Sequence, residues 1–286
     1  MRTIVLGSQG QLGRDLVPRL PGEVLALTRA DIDLSQPADL TEKIAALKPD
    51  LVINCAAYNL VDKAETDSEL AWRTNALAVR DLARAAHNCG ARFVHFSSDY
   101  VFGLDARRNT PLAETDPPGP VSVYGATKLA GEYLALAAHP SSLVIRTCGL
   151  YGVWGSGGKG GNFVETMLRL AAQGKPIKVV DDQHCTPTAA ADLADATVKL
   201  LATDAKGLFH ITSAGATTWF QLAGEIFRQA QLSVDLTPIT SAQFGAPARR
   251  PSYSVLDCGK ATGFGIALRE WPEAIGHYLS ERTNRS

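Results

Sequence analysis

Apolar residues along the first half of the chain fall into short runs separated by longer amphipathic stretches. Thr3–Leu6, Glu23–Thr28, Leu51–Cys55, Arg92–Ser97 and Leu143–Thr147 read as strands. Between them, Gln11–Val17, Asp39–Lys48, Ser68–Asn88 and Ser122–Ala138 carry helical periodicity. Pro18 should end the first helix, Pro49 lies just beyond the second, and Gly90 closes the third. Strands that are apolar almost throughout, alternating with helices, predict a parallel sheet covered on both faces.

Beyond Tyr151 the texture changes. Residues 152–161 form a ten-residue stretch with six glycines, which reads as a mobile active-site loop or a linker and is expected to order when a ligand binds. Helices are expected at Asn162–Gln173, Asp192–Thr203, Thr217–Gln231 and Pro272–Glu281, with strands at Ile177–Val180 and Leu208–Thr212. The fold class is therefore α/β: a Rossmann-type doubly wound parallel sheet with a smaller C-terminal α/β substrate-binding lobe. The dinucleotide domain spans 1–150, completed by about 176–213, and most of 151–286 forms the lobe.

Composition narrows the function classes. The 286 residues carry a net charge of −1 with no basic stripe, which argues against a nucleic-acid partner. No stretch approaches the roughly 18–20 apolar residues of a membrane span, and the apolar run at Ile4–Leu6 is too short for a signal peptide, so a cytoplasmic enzyme is expected. The five cysteines show no C-x-x-C spacing and the six histidines no chelating pattern, so neither disulfides nor a metal site is expected.

The chemistry sits at strand ends. Gly7-Ser8-Gln9-Gly10-Gln11-Leu12-Gly13 follows the first strand and opens the first helix. Glycines there let backbone approach a pyrophosphate, and the helix N-terminus favours its charge. At the end of the second strand, Arg29 would suit the 2′-phosphate of NADPH, whereas an acid such as Asp33 would suit NADH; Arg29 also reads as an ordinary surface arginine. Asp33 and Leu34 are placed against the adenine, and the small residues Ala56 and Ala57 where a cofactor passes closely.

Tyr124 and Lys128 stand four apart, hence on one helix face. A free phenol, with a pKa of about 10, exchanges protons poorly near neutrality; a nearby ammonium lowering it by roughly three units would contribute about 4 kcal/mol. The lysine can also hold ribose hydroxyls. The fourth strand ends in Ser97-Ser98-Asp99, where ligands bind in open parallel sheets, and Ser98 is preferred over Ser97 to polarise a substrate carbonyl.

These segments together resemble the extended short-chain dehydrogenase/reductases, and within them the dTDP-4-dehydrorhamnose reductase family. The finer similarity adds Val61-Asp62-Lys63-Ala64-Glu65, Asn162-Phe163-Val164, Asp182-Gln183, Thr186-Pro187-Thr188 and Arg250-Pro251, in order over nearly the whole chain. The resemblance implies NAD(P)H-dependent reduction of the C4 ketone of dTDP-4-dehydro-L-rhamnose. It implies Ser98, Tyr124 and Lys128 as the catalytic set. Gly7, Gly10, Gln11, Leu12, Gly13, Arg29, Asp33, Leu34, Ala56, Ala57, Tyr58, Phe96, Tyr124 and Lys128 would bind NADPH or NADH. Ser98, Asp99, Phe102 and Asn162 would bind the nucleotide sugar.

Three departures qualify the picture. The family's usual tryptophan after Arg146-Thr147 is Gly149, so the sugar site should either widen or be filled by Trp154; the usual glycine between Gln183 and Pro187 is Cys185. Some members form a Mg²⁺-bridged dimer. Asp15 could match one ligand, but Ala189-Ala190-Ala191 offers no second carboxylate, which argues against the metal and leaves monomer and homodimer open. The alternatives are a reductase of another nucleotide 4-keto-sugar and a non-catalytic dinucleotide-binding regulatory subunit.

Overall fold

In the computed structural model, which describes residues 1–36, 39–154 and 161–283, six parallel strands form the central sheet. They are β1 (Arg2–Leu6), β2 (Glu23–Leu27), β3 (Leu51–Asn54), β4 (Arg92–Ser98), β5 (Leu143–Thr147) and β8 (Gly207–His210), in the order β2-β1-β3-β4-β5-β8. The expected α/β class is what the chain adopts. The order reverses between β1 and β3, which opens a crevice at the carboxyl ends of those strands.

Both sheet faces are covered, as fully apolar strands require. One face packs Val5, Leu51, Ile53, Val94 and Ile145 against α1 (Gln11–Leu16) and α7 (Ala190–Leu201). The other packs Ile4, Leu6, Val52, Phe93 and Val144 against α2 (Leu40–Ala46), α4 (Ala78–Asn88) and α5 (Val123–Ala138). The helix expected at Ser68–Asn88 is interrupted. It runs as α3 (Ser68–Trp72), one π-helical turn (Arg73–Leu77) and α4. The extra residue in that turn presents Asn75 to the loop after β3 and to α5, as described below.

A separate cluster holds the C-terminal lobe together. It joins α6 (Phe163–Ala171), α8 (Trp219–Gln229) and α9 (Trp271–Thr283) through Val164, Met167, Leu222, Ile226, Ile275 and Tyr278. Strand β6 (Ile177–Val180), expected to help complete the main sheet, pairs instead with β10 (Leu236–Ile239) in this lobe. Its isolated Ile-x-Val-Val run carries no information about which sheet it joins. Of the later segments, α7 and β8 return to the main sheet. A short antiparallel pair, β7 (His184–Cys185) with β9 (Thr217–Thr218), lies against the Asp99–Tyr100 turn beside the lobe. No helix among the described residues is long and apolar enough to cross a membrane.

Candidate active site

The glycine turn is built as its spacing requires. A Cβ on Gly7, where φ is +71°, would lie 2.7 Å from the Ala56 amide nitrogen; one on Gly13 would lie 2.4 Å from the Gly7 carbonyl oxygen. Gly7 therefore lets β1 meet the exit of β3, and Gly13 lets α1 close onto the turn. Gly10 N–H bonds the Gly7 carbonyl at 2.9 Å, and α1 begins without a side-chain cap or an acidic residue in its first turn. These features fit an anion cradle. Ala57 is exposed at the crevice, whereas the Tyr58 ring turns away to donate to Asp67 at 3.2 Å.

Arg29 is 76% exposed, and its Nε donates to Asp33 at 3.1 Å. Burial works against the Asp33 charge, but hydrogen bonds from Ser35 and Arg29 outweigh it and hold the carboxyl below its ordinary range. Arginine and aspartate thus form one surface unit rather than two alternatives. Leu34 is buried in the core against Ile32 and Ile4.

Asn75 fixes the next layer. Its Oδ1 accepts from Tyr58 N–H at 2.9 Å, and its amide donates to the Tyr58 carbonyl at 2.9 Å and to Thr127 Oγ1 on α5 at 3.1 Å. A Cβ on Gly131 would lie 2.1 Å from the Asn75 carbonyl oxygen, so α5 packs directly on the π turn. At its other end, Ser122 caps α5 by accepting from Gly125 N–H at 3.2 Å. A Cβ on Gly125 would lie 2.2 Å from the Tyr100 carbonyl oxygen. These close approaches bring Tyr124 beside the end of β4.

Ser98 ends β4. Its hydroxyl accepts from Tyr100 N–H at 3.2 Å and donates to Asp99 at 3.0 Å. It also interacts with the half-buried Tyr124 phenol, whose ring meets Tyr100 edge-on at 5.7 Å. Burial pushes the phenol up to about 12, against a smaller lowering by Ser98. The expected depression by a lysine is therefore reversed. Lys128 is buried, donates to the Phe96 carbonyl at 2.6 Å and lies 3.4 Å from His95 Nε2; burial brings it down to about 8, against a smaller upward effect of Glu132. Residue spacing alone does not convey how far the ammonium is desolvated.

Asp99 is buried and takes donors from Ser254 at 2.6 Å, Cys148 at 3.1 Å and Ser98, yet burial still raises its pKa. Beside it, Gln183, Cys185, Trp219, Arg250 and Pro251 line a narrow crevice. Phe102 takes no part in that crevice. Its ring is buried with Val101, Leu112 and Leu256 beneath the Arg146 guanidinium, because the turn after β4 directs it into the core. Asn162 is buried as the cap of α6, accepting from Glu165 N–H at 3.0 Å and donating to Gln11 at 3.2 Å and to the Gly152 carbonyl at 2.9 Å. It therefore joins the lobe to α1 instead of facing Asp99.

Trp219 occupies the space beside Gly149. A Cβ there would lie 3.3 Å from the Trp219 ring and 3.1 Å from Pro187. Trp154 does not fill it; its indole N–H donates to Asp15 at 3.1 Å. Of the glycine-rich stretch, residues 155–160 and its expected ordering lie outside the described residues. Asp15 is buried, and no group of three or more His, Cys, Asp or Glu side chains among the described residues could hold a metal ion.

Sequence reasoning gave no site role to Asn54, His95, Asn75, Ser254, Trp219 or Arg250, although Arg250 stood within the family similarity. Asn54 and His95 left a signal, as polar residues inside otherwise apolar strands. The π turn that aims Asn75 left none.

A glycine turn at the crevice of a parallel sheet, with a serine, a tyrosine and a lysine gathered at the carboxyl end of β4, defines the class of dinucleotide-dependent reductases. A model of the RmlD substrate-binding domain matches residues 1–284, and the chain belongs to that family. It is 42% identical over 282 residues to a "probable dTDP-4,6-dihydroxy-2-methyloxan-3-one 4-ketoreductase" of Streptomyces antibioticus, covering 96% of this chain and 93% of the relative. It is 39% identical to a dTDP-4-dehydrorhamnose reductase of Burkholderia thailandensis, covering 96% and 97%. The crystal structure of a dTDP-4-dehydrorhamnose reductase from Bacillus anthracis in complex with NADP superposes with a TM-score of 0.91 at 34% identity, covering 98% and 99%.

Proposed function

We propose that the chain is an NADPH-dependent reductase of the C4 ketone of dTDP-4-dehydro-L-rhamnose, giving dTDP-L-rhamnose. The observation that carries this reading is the meeting of Ser98 and Tyr124 at the end of β4, on the same carboxyl edge of the sheet as the glycine turn, in a chain similar end to end to reductases of that name. The turn from Gly7 to Gly13, with Ala56 and Ala57, would hold the dinucleotide, and Arg29 its 2′-phosphate. NADPH supplies the hydride when bound there.

The remaining chemistry belongs to the chain. Reduction of a ketone places negative charge on the carbonyl oxygen. With substrate bound, the Ser98 hydroxyl would turn its single proton from Asp99 to that oxygen, and Tyr124 would deliver the proton. A phenol held near 12 is fully protonated at neutral pH, so it is loaded as a donor in the reducing direction. The difficult state is the phenolate left afterwards, and positive charge close by is what stabilises it. Lys128 would hold the ribose hydroxyls. Arg250 would meet the sugar nucleotide's diphosphate, and Asp99 would orient Ser98.

The chain divides, in this reading, into a dinucleotide domain over 1–150 plus α7 and β8, and a sugar-binding lobe over most of the rest. It works in the cytoplasm as a monomer or homodimer; five free thiols suit a reducing compartment.

A second reading has its own support. The Streptomyces antibioticus relative is named for a different dTDP-sugar ketone, and Trp219 rather than residue 149 supplies the aromatic surface here. A panel of dTDP-4-keto-sugars decides. NADPH consumption fastest with the rhamnose precursor is expected; faster turnover of another ketone transfers the assignment to that sugar. No turnover with any of them would leave a dinucleotide-binding regulator.

A further inference from the structure

Behind Lys128 lies a line of buried polar groups. Ala56 N–H donates to Asn54 Oδ1 at 3.1 Å. That contact fixes which way round the amide sits, because the opposite orientation would set two N–H groups against each other. Asn54 Nδ2 therefore points its hydrogen at His95 Nδ1, 3.2 Å away. His95 is fully buried, stacked on Phe93, and burial keeps its ring uncharged near neutrality. A neutral imidazole that accepts at Nδ1 carries its proton on Nε2. Nε2 faces Lys128 Nζ at 3.4 Å, while Nζ donates to the Phe96 carbonyl at 2.6 Å.

An ammonium has three donors and no acceptor, so it can present nothing to the Nε2–H that receives it; the uncharged amine has a lone pair that does. We propose that His95 is a positioning residue for Lys128: oriented by Asn54, it offers the amine a hydrogen-bond donor and so favours the uncharged amine over the ammonium. The proposal rests on Lys128 belonging to the reductase site. It accounts for two buried polar residues at matching register, Asn54 at the end of β3 opposite His95 within β4.

The other charged groups around Lys128 do not supply this effect. Glu132, one turn further along α5, is taken up by a two-point pair with Arg146 of β5 at 2.8 and 2.6 Å. Asp99, on the turn after β4, is bonded to Ser98, Cys148 and Ser254. Tyr124 is an uncharged phenol. The π turn packed on α5 contributes the neutral Asn75. A lysine that titrates close to neutrality can give up a proton as well as carry a charge, which a permanently charged one cannot.

The test uses the full chain labelled with ¹³C-lysine and ¹⁵N-histidine, with the Lys128 signal assigned by its loss in Lys128→Met. In the unsubstituted protein the amine should titrate near 8 and His95 should carry its proton on Nε2. His95→Phe removes the donor, and Asn54→Ala frees the ring to present a lone pair instead. Each should raise the midpoint by about one pH unit, a tenfold gain in proton affinity. The alkaline limb of kcat should move the same way. Unchanged midpoints, or a proton on Nδ1 of His95, would overturn the proposal. Asn54→Ala and the tautomer remain decisive if His95→Phe does not fold. The titration needs no sugar, so its result is independent of whether any sugar nucleotide is reduced.

Discussion

Tyr124 and Lys128 are one turn apart on α5, yet burial moves their proton affinities in opposite directions, the phenol upward and the amine downward. The pairing of residue types was legible in the sequence; the sign of the phenol's shift was not, because it depends on how much water the folded site excludes. Tyr124→Phe should lower turnover by about 10²–10⁴-fold with dinucleotide affinity retained, measured by steady-state kinetics and by fluorescence titration. Lys128 also has a consequence for stability. Its folded-state value of about 8 lies below the ordinary 10.5, so between those limits the unfolded chain binds the extra proton and stability rises with pH. Below about 8 the full cost of the buried charge is present. Lys128→Met should therefore stabilise the protein at pH 7, by on the order of 1–3 kcal/mol after the lost bond to the Phe96 carbonyl is counted, while turnover falls. Denaturant unfolding at pH 7 and pH 10 checks both sign and trend: the gain should shrink as the solution becomes alkaline, and a gain independent of pH would contradict this origin.

At the scale of elements, the site depends on where α5 sits. The helix and its neighbouring strands were readable from periodicity, since core strands and amphipathic helices repeat a simple pattern. The π turn was not, because one extra residue in a long helix barely disturbs that pattern. The internal ion pair was also hidden: Glu132 and Arg146 are fourteen residues apart and meet only in the fold, each 2% exposed. Arg146 is further fixed by His210 Nε2 at 3.3 Å, whose Nδ1 donates to the Leu112 carbonyl at 3.0 Å. Glu132→Gln would leave the guanidinium buried without its counter-charge. Such losses cost about 3–5 kcal/mol, so the midpoint of denaturant unfolding should fall markedly. A change within experimental error would mean that water reaches Arg146. Because Glu132 is one turn beyond Lys128, the surviving folded fraction should also show a slower chemical step, reflecting a displaced helix and not a lost reactive group.

Across the whole molecule, the segment following Arg250 connects parts far apart in sequence. Arg250 bonds Asp62 after β3 at 2.8 Å, Ser254 reaches Asp99 after β4 at 2.6 Å, and Leu112 N–H bonds the Val255 carbonyl at 2.9 Å. Ser254 N–H meets the His184 carbonyl at 2.8 Å, so the same few residues touch β7 as well. Such a segment has no periodicity to read, and its contribution emerges only when the two regions lie side by side. It places one guanidinium at the crevice occupied by Asp99 and Trp219. A sugar nucleotide carries its negative charge on the diphosphate, some distance from the ketone that reacts. Arg250 is therefore suited to bind substrate without taking part in proton transfer. A charged hydrogen bond of this kind contributes about 1.5–3 kcal/mol, and it is made equally in the ground and transition states. Arg250→Ala should accordingly raise KM for the sugar nucleotide by about 10–100-fold, leave kcat within a few-fold, and leave dinucleotide affinity unchanged. The effect should weaken at high ionic strength, where the lost attraction is screened in the unsubstituted enzyme too. A fall in kcat at constant KM would instead assign Arg250 to the reacting carbonyl, and the diphosphate would then have to be met by another part of the crevice.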